Sequence, residues 1–179
     1  YAPRSIAVPG CSAGNGFEHI DPEVTQKVIG IDINPEYLDI LRVRFDKRLP
    51  GLQLVCSDLC ECELEAGGID LLFCALVLEY LDPAPFLAAA SRWLSQEGAL
   101  VVILQLPSQK SGKVSETPYK SLKRLEPVMD LLDPRRLRHL AKRSGLLETR
   151  SRTETLSSGK AFFVSHYCRR ACDGQKSAA

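Results

Sequence analysis

Ser5-Ile-Ala-Val8-Pro-Gly10-Cys-Ser-Ala-Gly14-Asn-Gly16, followed by Lys27-Val-Ile-Gly-Ile-Asp32, is the stretch that decides the fold. Ser5–Val8 is a short apolar strand that breaks at Pro9-Gly10. Three glycines then follow within seven residues. Glycine accepts positive φ and lets the backbone approach a ligand closely. Phe17–Ile20 begins a short helix, and Asp21-Pro22 marks its end. A helix in that place would turn free N–H groups and a positive dipole end toward the loop. Lys27–Asp32 is a second apolar strand, and it ends in an acid. A carboxylate about 20 residues beyond a glycine loop can accept both hydroxyls of a ribose. Strand, glycine loop, helix, strand and terminal acid, in that order, point to a bound nucleoside.

The rest of the chain repeats the alternation. Asn34-Pro35 starts a helix over 35–49, with Leu38, Leu41 and Phe45 on one face. Leu52–Ser57 is a third strand. Ile69–Leu76 is a fourth, apolar on both faces as a central parallel strand should be. A helix is expected over Ala84–Gln96, closed by Glu97-Gly98, and a fifth strand over Ala99–Leu106. Asp133-Pro134 caps a helix to about Ser144 that Gly145 ends, with Leu137, Leu140 and Ala141 inward. Leu146–Thr155 and Ala161–Arg169, joined through Ser157-Ser-Gly-Lys160, read as an antiparallel hairpin. The expected fold is a single α/β domain over 1–179. It is a doubly wound, mostly parallel seven-stranded sheet with helices on both faces and the hairpin at its C-terminal edge. In such sheets ligands sit beyond the carboxyl ends of the strands, where strand order reverses.

Composition excludes several classes. With 179 residues, 45% hydrophobic and 25% charged, the chain is an ordinary globular domain, and its net charge of +1 lacks the basic excess of a dedicated nucleic-acid binder, so no nucleic-acid partner is expected. No apolar run is long enough to span a membrane. Seven cysteines, an odd number with several in strand-like runs, fit reduced thiols in the cytoplasm better than disulfides. Cys56, Cys60 and Cys62 lack the spacing of a structural zinc site, so no metal is expected. The first residue is Tyr1 rather than Met, so a preceding segment is expected. No signal-like stretch is present.

The dinucleotide pattern G-x-G-x-x-G fails in each register, since from Gly10 the second glycine position is Ser12, and from Gly14 His19 stands where the last glycine would fall. Four places instead resemble the class I S-adenosylmethionine-dependent methyltransferases, and the resemblance covers nearly the whole chain. Val8-Pro-Gly10-Cys-Ser12-Ala-Gly14-Asn-Gly16 looks like that family's first motif and Gly30-Ile-Asp32-Ile-Asn34 its second. Cys56-Ser-Asp58-Leu59 looks like its third. Ile69-Asp70-Leu-Leu-Phe-Cys-Ala75-Leu76, with Leu78-Glu-Tyr-Leu81, looks like its fourth. The chain departs at Val8, where the family has an acid, and at Ser12, where it has glycine.

The resemblance implies S-adenosylmethionine as cofactor and S-adenosylhomocysteine as product. It implies contacts from Pro9, Gly10, Cys11, Ser12 and Gly14, with Asp32 on the ribose and Ile33 beside it. Asp58 would bond the adenine amine, the Leu59 backbone the ring, and Ala75 and Leu76 would close the site. Glu79, Tyr80 and Tyr119 are candidates for the acceptor pocket, and the polar stretch 107–127 for a lid over it. No base or nucleophile constellation is visible, and sulfonium methyl transfer, driven by positioning and desolvation, does not require one. The Asn/Asp-Pro-Pro-aromatic motif of amino methyltransferases is replaced by Cys74-Ala-Leu-Val77. The expected activity is therefore transfer to an oxygen or nitrogen of a small molecule or a protein side chain. A non-catalytic S-adenosylmethionine-binding scaffold and a nucleotide-dependent oxidoreductase are the alternatives. Arg135, Arg138, His139 and Lys142 read as a solvated basic helix face.

Overall fold

The computed structural model describes residues 1–107 and 129–170. Seven strands form one mixed sheet in the order β3-β2-β1-β4-β5-β7-β6. They are β1 Ser5–Pro9, β2 Lys27–Asp32, β3 Leu52–Cys56, β4 Ile69–Ala75, β5 Leu94–Gln105, β6 Leu146–Thr155 and β7 Ala161–Arg169. The first five run parallel, and β7 lies antiparallel between β5 and β6. Strand order reverses between β1 and β4, so the exits of those strands flank the switch point.

Among the described residues, three α-helices connect the strands: α1 Pro35–Phe45, α2 Pro83–Trp93 and α3 Pro134–Arg143. Each starts in the same way. Asn34, Asp82 and Asp133 are the N-caps, and their side chains accept the backbone N–H of Glu36, Ala84 and Arg135. A proline occupies the first turn each time, where its missing N–H costs nothing. Each cap contributes about 1 kcal/mol.

Alternation along the strands divides the core. Ile6, Leu71 and Val101 join Leu38, Leu41 and Phe45 of α1. Ala7, Leu72 and Val102 join Phe86, Leu87 and Trp93 of α2 and Leu137 and Ala141 of α3. No described helix is long and apolar enough to cross a membrane.

Three boundaries differ from expectation. The helix expected at Phe17–Ile20 is a single 3-10 turn, Phe17–His19, that buries only Phe17. The β1–β2 crossover is held from outside instead. Arg44 of α1 donates to the Ala13 carbonyl, and Arg48 just beyond α1 donates to those of Glu18 and Ile20. α1 ends at Phe45, because the chain turns through Asp46–Arg48 to bury Leu49.

α2 ends at Trp93 rather than Gln96. Leu94 is already extended and pairs with Ile69, and pairing then resumes only at Leu71 with Ala99. Ser95–Gly98 bulges out between them. Gly98 permits this, since a Cβ there would lie 2.6 Å from the Ile69 carbonyl oxygen. Helical periodicity could not foresee that a long-range strand partner would capture Leu94.

Asp70 fixes the strand starts at the opposite end of the sheet. Its carboxylate accepts the backbone N–H groups of Arg4 and Ser5 and the Ser95 hydroxyl. Burial pushes its pKa up, but these donors outweigh that and hold it below the usual carboxylate value.

Candidate cofactor and acceptor site

The exits of β1, β2, β3 and β4 gather at one end of the sheet. The β1 loop is built from left-handed residues: Gly10, Ser12, Gly14 and Gly16 have φ of 65°, 49°, 81° and 93°. Two glycines are required by packing. A Cβ on Gly10 would stand 2.7 Å from Val77 Cγ2, and one on Gly14 would stand 2.9 Å from Leu41 Cγ. The loop is thus pressed between the β4 exit and α1. At Gly16 nothing lies within 4 Å of such a Cβ, so only its backbone conformation asks for glycine.

Asp32 organises this end. Its Oδ2 accepts the Ser12 backbone N–H at 2.8 Å and its Oδ1 that of Asn34 at 2.9 Å. One carboxylate thereby fixes both the glycine loop and the start of α1. Each oxygen has two lone pairs, so capacity for ribose hydroxyls remains. Cys11 continues the β1–β2 pairing by donating its N–H to Ile31 O, and its side chain is buried. Burial, then the Asp32 charge, push its thiol to about 12, so it is inert as a nucleophile.

Exposed apolar side chains follow β2 and β4. Ile33 is 68% exposed and Leu76 41% exposed. Leu76 also has φ 56°, a strained conformation for a branched side chain, and keeps it while donating its N–H to Ile103 O. Exposed aliphatic side chains at the strand exits, with a carboxylate that has acceptor capacity to spare, suit a nucleoside. The residues present therefore fit an adenosyl group.

Other predicted residues lie as follows. Asp58 is exposed, and its Oδ1 accepts the Cys60 backbone N–H at 2.8 Å, so it also closes its own turn. Leu59 is buried in the core, which leaves its backbone as the part that could meet a ligand. Glu79 and Tyr80 sit in a one-turn 3-10 segment, Leu78–Tyr80, after β4. Tyr80 is exposed. Glu79 is 1% exposed and turned inward, its Oε1 accepting the Gln105 backbone N–H at 2.8 Å. Its carbonyl accepts the Asp130 N–H. Among the described residues its Oε2 has no partner, and burial raises its pKa, only partly offset by the Gln105 bond. Tyr119 and all of the expected lid except Pro107 lie outside the described residues.

The sequence reading missed a cavity of about 240 Å³ at the same end, lined by Leu78, Leu81, Asp82, Pro83, Asp130, Leu132 and Arg136. It does not include the glycine loop. The signal for it was present: Asp82-Pro83 and Asp133-Pro134 start helices at this end of the sheet, so the first turns of α2 and α3 converge there.

A methyltransferase-domain family model matches residues 8–102, more than half of the chain. The chain belongs to that family, the class I S-adenosylmethionine-dependent methyltransferases with a Rossmann-like fold. Its cofactor is S-adenosylmethionine, whose product form is S-adenosylhomocysteine.

Solved structures share the fold at low identity. An S-adenosylmethionine-dependent methyltransferase from Mesorhizobium loti matches with a TM-score of 0.75 at 16% identity, over 94% of this chain and 91% of that one. The N-methyltransferase NodS from Bradyrhizobium japonicum, in complex with S-adenosylhomocysteine, matches at 0.71 and 17%, over 94% and 79%. Geranyl diphosphate C-methyltransferase from Streptomyces coelicolor, in complex with Mg²⁺, geranyl diphosphate and S-adenosylhomocysteine, matches at 0.73 and 11%, over 92% and 70%. No curated protein matches the chain in sequence.

Proposed function

We propose that this chain transfers the methyl group of S-adenosylmethionine to an oxygen or nitrogen of a small molecule or of a protein side chain. The observation that carries the cofactor part is Asp32, which ends β2, accepts the Ser12 N–H of the glycine loop and is followed by the exposed Ile33. The cofactor supplies a sulfonium methyl already activated for in-line displacement by the acceptor's lone pair. The protein's share is to bind, orient and exclude water. In this reading Asp32 takes the ribose hydroxyls, with Ile33 and Leu76 against the base. Pro9, Gly10, Cys11, Ser12 and Gly14 contribute backbone, Asp58 and the Leu59 backbone hold the adenine edge, and Ala75 lines the floor. Tyr80 and Tyr119 face the acceptor, and Glu79 stands behind Tyr80. The domain is one unit, doubly wound, with α1 supporting one face of the sheet and α2 and α3 the other. Residues 107–127 act as the lid.

The fold alone leaves the acceptor atom open, since an N-methyltransferase and a C-methyltransferase match it about equally. Preference for oxygen or nitrogen rests on the heteroatom's own lone pair, which requires no base to activate a carbon. Specific features favour a second reading, a domain that binds the cofactor without turnover. Val8 stands where the family places an acid, and the helix after the glycine loop is reduced to one turn. Thermal-shift titration separates these readings from an oxidoreductase. S-adenosylhomocysteine is expected to raise the unfolding temperature and NAD to leave it unchanged. Isotope transfer from labelled S-adenosylmethionine to amine and alcohol libraries then reads turnover. No shift with S-adenosylhomocysteine would sink the proposal.

A further inference from the structure

The net charge of +1 is unevenly distributed along the chain. Residues 1–107 carry seven Lys and Arg against fifteen Asp and Glu, a net of −8, whereas residues 129–170 carry ten against four, a net of +6. The positive part concentrates on α3, whose sequence Pro134-Arg-Arg-Leu-Arg-His-Leu-Ala-Lys-Arg143 contains no acid. Leu137 and Ala141 are buried beneath it, and Arg135, Arg136, Arg138, His139, Lys142 and Arg143 are all exposed. Carboxylates near the helix are mostly engaged: Asp133 caps its N-terminus, and Glu148 takes Arg138 at 2.7 Å. Among the described residues, Arg135, Arg136, Lys142 and Arg143 form no ion pair.

We propose that the outer face of α3 is a docking surface for the phosphodiester backbone of a single-stranded nucleic acid. This is independent of the methyl acceptor. Four unpaired cations within ten residues give a local density that an ordinary solvated helix relieves with interspersed Glu or Asp. Three of the four are arginines, whose guanidinium fork matches phosphate oxygens in pairs. The four cations offer up to four phosphate contacts along the helix. A bilayer surface is the poorer fit. Insertion of an amphipathic helix needs exposed apolar side chains on the binding face, and α3 exposes no large one. The opposed charge of residues 1–107 would also orient the molecule as a polyanion approaches, bringing α3 forward.

The test uses the full chain and labelled 20-nucleotide single-stranded RNA and DNA, titrated from 50 to 200 mM salt. Both are expected to bind, with log affinity falling against log salt at a slope of about −3, as four phosphate contacts imply. The variant Arg135→Gln/Lys142→Gln/Arg143→Gln should bind at least tenfold more weakly with a slope near −1, at an unchanged unfolding midpoint. Should that midpoint fall, Arg135→Gln and Lys142→Gln are read singly, each expected to weaken binding about threefold. Three outcomes overturn the proposal: no oligonucleotide binding at 50 mM salt, variants within their error of the parent, or capture by phosphatidylserine vesicles without binding to either oligonucleotide.

Discussion

The Asp32 carboxylate and the Ser12 backbone N–H meet at 2.8 Å, so the acid at the end of β2 holds the β1 loop. Ser12 is left-handed at φ 49°, and this bond helps keep it there. The two motifs that sequence reading treats separately form one mechanical unit. Asp32 therefore has a structural duty that any mutational test must separate from ligand binding.

Asp32→Ala should abolish the thermal shift given by S-adenosylhomocysteine and lower the unliganded midpoint, because two backbone N–H groups lose their acceptor at a cost of about 1–3 kcal/mol each. Asp32→Asn keeps one side-chain acceptor, so its unliganded midpoint should fall less while the shift is still lost. If affinity survives both changes within a few-fold, the ribose assignment is wrong.

Ser12→Gly should stabilise the protein. A left-handed residue with a Cβ costs about 1 kcal/mol relative to glycine, less the added entropy of glycine in the unfolded chain. A rise of about 1–3 °C in the unfolding midpoint is expected for a chain of this length. A fall would show that the serine hydroxyl holds the loop.

Asp70→Ala should destabilise by about 2–4 kcal/mol, since two backbone N–H groups and a serine hydroxyl lose a charged acceptor. The folded pKa of Asp70 is depressed. Its contribution is present above the unfolded carboxylate value and is lost as pH falls through the folded one. Urea unfolding of parent and variant should converge on acidification. Equal differences at pH 3 and pH 7 would refute this.

Glu79 works in the other direction. Its folded pKa is raised by burial. The folded state keeps a proton that the unfolded state releases, so its contribution is greatest below the unfolded value and is lost as pH rises through the folded one. Glu79→Gln, a neutral isostere, should remove that slope and gain stability relative to the parent as pH rises from 5 to 8. Glu79→Ala should lose stability throughout by leaving the Gln105 N–H unmatched and a cavity behind. A Gln variant with the parent's pH dependence would place the proton elsewhere.

Labelling with iodoacetamide at pH 8 should distinguish the thiols. Cys56 is exposed, whereas Cys11 and Cys74 are buried with raised pKa values. Mass spectrometry should find Cys56 modified under native conditions and Cys11 and Cys74 protected until unfolding. Rapid native labelling of Cys11 would mean that the glycine loop opens.

The sequence by itself determined the order of elements and most of their bounds. Asn34-Pro35, Asp82-Pro83 and Asp133-Pro134 are local signals, written in a cap and a fixed φ. The period-two pattern and the turn at Gly159 placed β6 and β7 without reference to anything distant. Asp32 at the end of β2 was legible for the same reason. Tertiary structure alone decided what depends on a partner far along the chain. Leu94 left α2 because Ile69 offered a strand, and Gly10 and Gly14 are required by Val77 and Leu41, not by the loop's own sequence. Glu79 looked like a residue at the mouth, yet Gln105, 26 residues away, draws its carboxylate inward. Capping and alternation are settled by neighbours in sequence, whereas burial of a polar group is settled only when a distant donor meets it in space.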